Sequence, residues 1–165
     1  MVTSGTAVVT LPADRQILIA REFDAPPALV FEAFTTPEHV MRWWCGERGE
    51  MTVAEIDLRV GGKWRYAMIA DGSGEEVAFH GEYREIVPAE RLVSTEAYEG
   101  IPDPDEHAAL NTMTLTALDG GRTRVEILVE HPTQEGRDMH IQSGMEDGLQ
   151  DALDDLERVA ISLAA

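Results

Sequence analysis

The residues whose type and position invite chemistry are four histidines, one strand carboxylate and a single thiol. His80 lies on an alternating segment, residues 76–86, opposite the face that carries Val77, Phe79, Gly81 and Tyr83, so it points outward. His131 ends the segment 122–131 on the same side as Val125, Ile127 and Val129, inward and close to where a cavity mouth would open. Two roles fit it: polarising a ligand oxygen, or capping a buried polar group. His140, near the start of the last helix, is placed to join it, whereas His107 sits beside an acidic loop and is solvated. Glu96 faces inward beside Tyr98 if Leu92 sets the strand register, and outward if Val93 does. An inward carboxylate must have its desolvation offset, which would make it a functional candidate.

No His–Glu spacing suits a metal, and the lone Cys45 excludes an internal disulfide or a cysteine-rich metal site. Gly72-Ser73-Gly74 is a hairpin turn and Gly61-Gly62 a structural one; neither is a phosphate loop or a nucleophile elbow. Asp138 and Glu146 suit the positive end of a helix. The residues therefore predict no catalytic group, no metal and no cofactor.

The elements that must position these residues follow from periodicity. Residues 133–163 read as one long helix. Its apolar face carries Ile141, Met145, Leu149, Leu153, Leu156, Ala160 and Leu163, and its opposite face Asp147, Asp151, Asp154 and Asp155. Segments 16–23, 51–58, 63–70, 76–86, 91–98, 109–118 and 122–131 alternate as half-buried strands, and Val8 to Leu11 can extend one. After the first strand, Asp24-Ala25-Pro26-Pro27 starts a helix, with Asp24 as cap or pre-cap residue, and Thr36-Pro37-Glu38 starts a second. Short turns between consecutive strands imply an antiparallel meander whose one covered face needs the last helix. Gly144 and Gly148 lie within that helix, where glycine costs up to about 1 kcal/mol against alanine. Either helix and sheet approach closely there, or room is left for a guest.

The chain is one domain of 165 residues, with residues 1–7 expected to be loose. Its net charge of −18 repels phosphate backbones and anionic membranes, so neither nucleic acid nor membrane insertion is expected. The first residues lack the basic-then-apolar layout of a secretion signal, so a cytoplasmic location is expected. Of Trp43 and Trp44, one packs under the short helices; the other, with Met41, lines a cavity entrance or a homodimer contact.

Several motifs, in this order and spacing, resemble a known family. They are Arg21-Glu22-Phe23-Asp24-Ala25-Pro26, Val30-Phe31-Glu32-Ala33-Phe34-Thr35, Pro37-Glu38 and Trp43-Trp44. Then follow Asp57-Leu58-Arg59-Val60-Gly61-Gly62-Lys63-Trp64-Arg65, Gly81-Glu82-Tyr83-Arg84-Glu85-Ile86 and Pro88-Ala89-Glu90-Arg91-Leu92. Arg137-Asp138 and Ser143-Gly144-Met145-Glu146-Asp147-Gly148 complete the set. Together they resemble the family related to the C-terminal domain of the activator of heat-shock chaperone ATPase (AHSA-type), within the START-like, or SRPBCC, superfamily. The resemblance runs from about residue 8 to the end.

The resemblance implies an α+β helix-grip fold. A curved antiparallel sheet of about six to seven strands would wrap a long C-terminal helix, with two short helices after the first strand. It also implies a cavity that takes hydrophobic small molecules. The chain has no room for the separate chaperone-binding domain of the eukaryotic activator, so a heat-shock chaperone is a partner by family analogy only. The expected function is a carrier or sensor of an apolar or aromatic molecule, more a binder than an enzyme. The expected lining comprises Trp43, Trp64, Tyr66, Met68, Phe79 and Tyr83, then Met113, Ile127, His131, Met145 and Leu149. A polyketide cyclase-like enzyme and a chaperone-regulating protein module are the alternatives.

Overall fold

The computed structural model describes residues 6–164. Eight strands form one open sheet: β1 (Val8–Thr10), β2 (Gln16–Phe23), β3 (Gly49–Ile56), β4 (Lys63–Ala70), β5 (Glu76–Val87), β6 (Arg91–Tyr98), β7 (Ala109–Leu118) and β8 (Arg122–Glu130). Their order is β1-β2-β8-β7-β6-β5-β4-β3, and each neighbouring pair is antiparallel. The meander from β3 to β8 is the predicted one. The count exceeds the expected six to seven because Val8–Thr10 pairs with β2 as a separate edge strand.

Helices α1 (Pro27–Thr35) and α2 (Pro37–Trp43) follow β2 as expected. Each begins on a proline, whose fixed φ suits a first helical turn. Asp24 caps neither: Pro26 is the N-cap of α1, and the Asp24 backbone N–H donates to Glu157 Oε2 at 2.8 Å.

The predicted single C-terminal helix is two helices, α3 (Gln134–Gln142) and α4 (Met145–Ser162). Gly144 breaks it with φ of +82°, a left-handed conformation that glycine enters without penalty. The apolar stripe conceals the break because Ile141 and Met145 keep a four-residue spacing across it. The predicted looseness at residues 1–7 concerns mostly residues outside those described. Ala7, however, is buried, and its backbone N–H and C=O both bond the Gln150 side-chain amide.

Alternation sorts the sheet faces. Ile17, Ile19 and Phe23 of β2, Val125 and Val129 of β8, Met113 and Leu115 of β7, and Leu92 of β6 are buried in one core with Trp64, Tyr66 and Tyr83. The backbone of α4 runs closest to α1 and α2, which seal one end of this inner face. There Leu156, Ala160, Val30, Ala33 and Phe23 have no accessible surface. Full burial of a side chain such as Leu156 contributes about 1.5–3 kcal/mol.

A buried cation ties the same end together. Arg21 stands on the inner face of β2, 2% exposed, and pairs with Asp154 at 2.8 Å and Glu157 at 3.2 Å, its guanidinium 4.8 Å from the Phe23 ring centroid. Asp154, expected on the outer acidic face of the helix, thus reaches inward to the sheet. The helical period places it near that boundary, and Arg21 draws it in.

Candidate functional site

The other end of the inner face is less tightly closed. Tyr66 and Trp64 of β4 lie 4.6 Å apart by ring centroids, and Phe79 of β5 lies 5.0 Å from Tyr98 of β6. Trp64 Nε1 donates to the Thr95 carbonyl at 3.2 Å. Gly81 makes this possible: a Cβ there would meet the indole nitrogen at 2.5 Å.

The tryptophan pair resolves clearly. Trp43 is buried under the short helices, donating from Nε1 to the Ala33 carbonyl at 2.8 Å and packing edge-on against Phe34. Trp44 is half-buried and meets Tyr66 and Phe79 edge-on, with centroids 5.7 and 5.5 Å away. Trp44, not Trp43, faces the aromatic rings of the sheet. Consecutive helical residues point about 100° apart, so only one of the pair can face the sheet's rings.

Of the remaining predicted lining residues, Trp64, Tyr66, Tyr83 and Met113 are buried in the core. Phe79, Ile127, Met145 and Leu149 are half-buried against it, with Trp44 and Ile141. Met68 is half-buried but outside that cluster, paired between Met51 and Val77. Two hollows, of about 350 and 360 Å³, lie at the β1 edge of the sheet, the first along β1, β2 and β8 and the second between β1 and the start of α4. The larger is bordered by Val9, Leu11, Ile141, Gly144 and Met145, with Glu146 and Asp147, so of the predicted lining only Met145 reaches it.

Gly148, suspected of leaving space for a guest, has another explanation. The Arg48 guanidinium lies where its Cβ would stand, and Arg48 Nη2 donates to the Gly144 carbonyl at 3.5 Å. The helix approaches an arginine there. Gly46 similarly sits against Asp151, with φ of +57°. Arg48 carries no sequence signal beyond being one of few cations in an acidic chain.

The register question is settled by Leu92, which faces inward opposite Met113 and carries Ser94 and Glu96 to the same face. Asn111 of β7 donates from Nδ2 to Glu96 Oε1 at 3.3 Å. Burial pushes the Glu96 carboxyl above its ordinary range, with the Asn111 bond opposing. Part of its surface nevertheless stays accessible. The hydroxyls of Tyr66 and Tyr83 face one another as hydrogen-bond partners, and burial raises Tyr66 well above and Tyr83 to about 12.

His131 and His140 do meet, Nε2 to Nδ1 at 3.0 Å. Burial, with His140 and Arg137 nearby, lowers His131 to about 4, and burial lowers His140 too, so both are neutral at pH 7. One ring donates to the other. His80 lies on the outer face as predicted, but it is not simply solvated. Its Nε2 meets Asp105 at 2.5 Å and its Nδ1 meets Glu99 at 2.8 Å, and the two carboxylates, Asp105 foremost, raise its pKa. Glu99 is held at about 2, chiefly by Arg65, which bonds it through Nε and Nη2, both at 2.9 Å. This cluster pins the 3-10 turn Pro104–His107 to the sheet.

The Cys45 thiol, raised by burial, lies 3.3 Å from the Gly49 carbonyl, an inert setting. Among the described residues no group of three or more His, Cys, Asp or Glu is placed to hold a metal, and no helix is long and apolar enough to cross a membrane.

A meander closed at one end by two short helices and crossed by a C-terminal helix defines the helix-grip class. Residues 24–160 match the family described as activator of Hsp90 ATPase homolog 1-like protein, and the chain belongs to that family. Among curated proteins none matches. A crystal structure from Rhodobacter sphaeroides, 23% identical, superposes with a TM-score of 0.84 over 96% of this chain and 98% of that one. One from Chromobacterium violaceum, 29% identical, gives 0.74 over 90% and 98%. One from Mycobacterium smegmatis, 23% identical, gives 0.81 over 93% and 96%. At 23% identity the likeness is one of fold alone.

Proposed function

We propose that this protein is a carrier or sensor that holds an apolar or aromatic small molecule at the open end of the grip, without covalent catalysis. One observation carries the reading. Trp44, Phe79, Ile127, Met145 and Leu149 face the interior, yet they remain half-accessible, while the other end of the same interior is sealed. Aromatic and methionine side chains around a partly open space suit an irregular apolar guest. A cyclase-like reading would need His131 and Glu96 to act together on a substrate, but His131 Nε2 is already engaged with His140.

Native mass spectrometry of the purified protein tests the proposal by detecting a co-purified guest. Quenching of tryptophan fluorescence by naphthalene provides a second arm. Leu149→Trp, which fills the space beside α4, is expected to abolish the quenching and leave the fold intact by circular dichroism. Absence of both a guest and saturable quenching in the wild type would end the proposal.

A further inference from the structure

We infer that the inner end of this crevice is built to receive a hydrogen-bond donor, so that the guest is an aromatic or apolar body bearing one O–H or N–H group, not a carboxylate such as a fatty acid. The inference rests on the crevice reading above and adds the polarity of the guest.

Glu96 and Asn111 stand on adjacent strands of the inner face, in register through the Ser94–Asn111 and Glu96–Ala109 pairs. Asn111 Nδ2 donates to Glu96 Oε1, which fixes the amide and turns its carbonyl oxygen away from the carboxylate. That Oδ1 is buried and accepts no hydrogen bond. With Glu96 ionised, reversing the amide would set oxygen against carboxylate oxygen, so rotation does not remove the problem. Buried carbonyls are almost always satisfied, and an orphan one calls for a donor that the chain does not supply.

The neighbouring phenols do not reach it: Tyr66 and Tyr83 share a hydrogen bond, and neither O–H meets Asn111 Oδ1. What remains is an acceptor pair, the Asn111 carbonyl and the Glu96 carboxylate, on an inner face that sets Val129 and Ala109 beside them. A guest with a donor at its tip satisfies the pair. A guest ending in a carboxylate would set acceptor against acceptor, inside a chain of net charge −18.

Four probes of one size separate the possibilities: 2-naphthol, 2-naphthylmethylammonium, naphthalene and 2-naphthoate, each titrated by calorimetry into the full chain at pH 7. The expected result is that the naphthol or the ammonium binds about tenfold or more tighter than naphthalene, as befits a hydrogen bond to a charged or buried acceptor. The naphthoate is expected to bind weakest. Whichever donor binds tighter identifies a neutral or a cationic guest.

Glu96→Leu and Asn111→Leu are each expected to erase the donor's advantage, read as the ratio of donor to naphthalene affinity within each variant. Equal binding of naphthalene and both donors, tightest binding of the naphthoate, or a donor advantage that survives both variants would overturn the inference and leave the crevice standing. Failure of all four probes to bind would overturn both. If the variants do not fold, the wild-type ranking of the four probes decides the matter alone.

Discussion

The two halves of α4 do opposite things with the same amphipathic pattern. Its C-terminal half places Leu153, Leu156, Val159 and Ala160 in a core with 0 to 3% exposure and adds the buried Glu157–Arg21 ion pair. Its N-terminal half begins at a left-handed glycine, carries Gly148 under an arginine, and leaves Met145 and Leu149 half-buried. One end anchors the helix; the other leaves an apolar face incompletely covered. The two halves differ because each meets different neighbours, Arg21 and the sealed core at one end and Arg48 at the other.

The largest expected effect lies at the anchored end. Arg21→Ala removes the cation paired with the buried Glu157 carboxylate and should cost about 3–5 kcal/mol, read as a drop in the urea midpoint at unchanged slope. Leu156→Ala should cost about 2–5 kcal/mol there. Leu149→Ala, on the same helix but half-exposed, should cost less than about 1.5 kcal/mol. Equal costs for the two leucines would erase the contrast between the ends.

The next effect is one of pH. His131 is held at about 4, so the unfolded chain takes up its proton first. The stability associated with its neutral form is present above about pH 6.5 and is lost as the pH falls toward 4. His140 and Arg137, which face it, reinforce the sign. His80 behaves oppositely. Its raised pKa gives stability that is full below about pH 6.5 and is lost as the pH rises through the raised value. Melting temperatures from pH 4 to 8 for His131→Gln and His80→Gln should therefore flatten the acidic and the neutral-to-alkaline parts of the profile, respectively. Identical profiles would contradict the assigned environments.

The smallest effect is at Gly148. Alanine there gains helix propensity but meets Arg48, the flexible end of an exposed side chain. Gly148→Ala should change stability by no more than about 1 kcal/mol, and should be stabilising by up to about that amount in an Arg48→Ala background. A loss of several kcal/mol in both backgrounds would mean that α4 meets the sheet more tightly than described.

The inward set on β4, β5, β7 and β8 was legible because strand alternation has a period of two and each turn is marked by glycine, proline or aspartate. Trp64, Tyr66, Phe79, Tyr83, Met113 and Ile127 fell on the expected face for that reason. The break at Gly144 was not legible, because a stripe with a spacing of four reads the same across a glycine that continues a helix and one that ends it. The choice between Trp43 and Trp44 was not legible either, since it depends on the angle at which α2 meets β3 and β4. Glu96 was a fork between two registers, and only pairing with β7 selected one.

Periodicity and turn chemistry, both local, were enough to establish the meander, the helices and the face of most side chains. Long-range packing alone decided that Arg21 binds Asp154 and Glu157, that Arg48 occupies the space above Gly148, and that Asn111 keeps an unanswered carbonyl beside Glu96. These contacts join residues far apart in the chain or on separate strands. No spacing along one element encodes them, because the distance between two elements is set by everything packed between them.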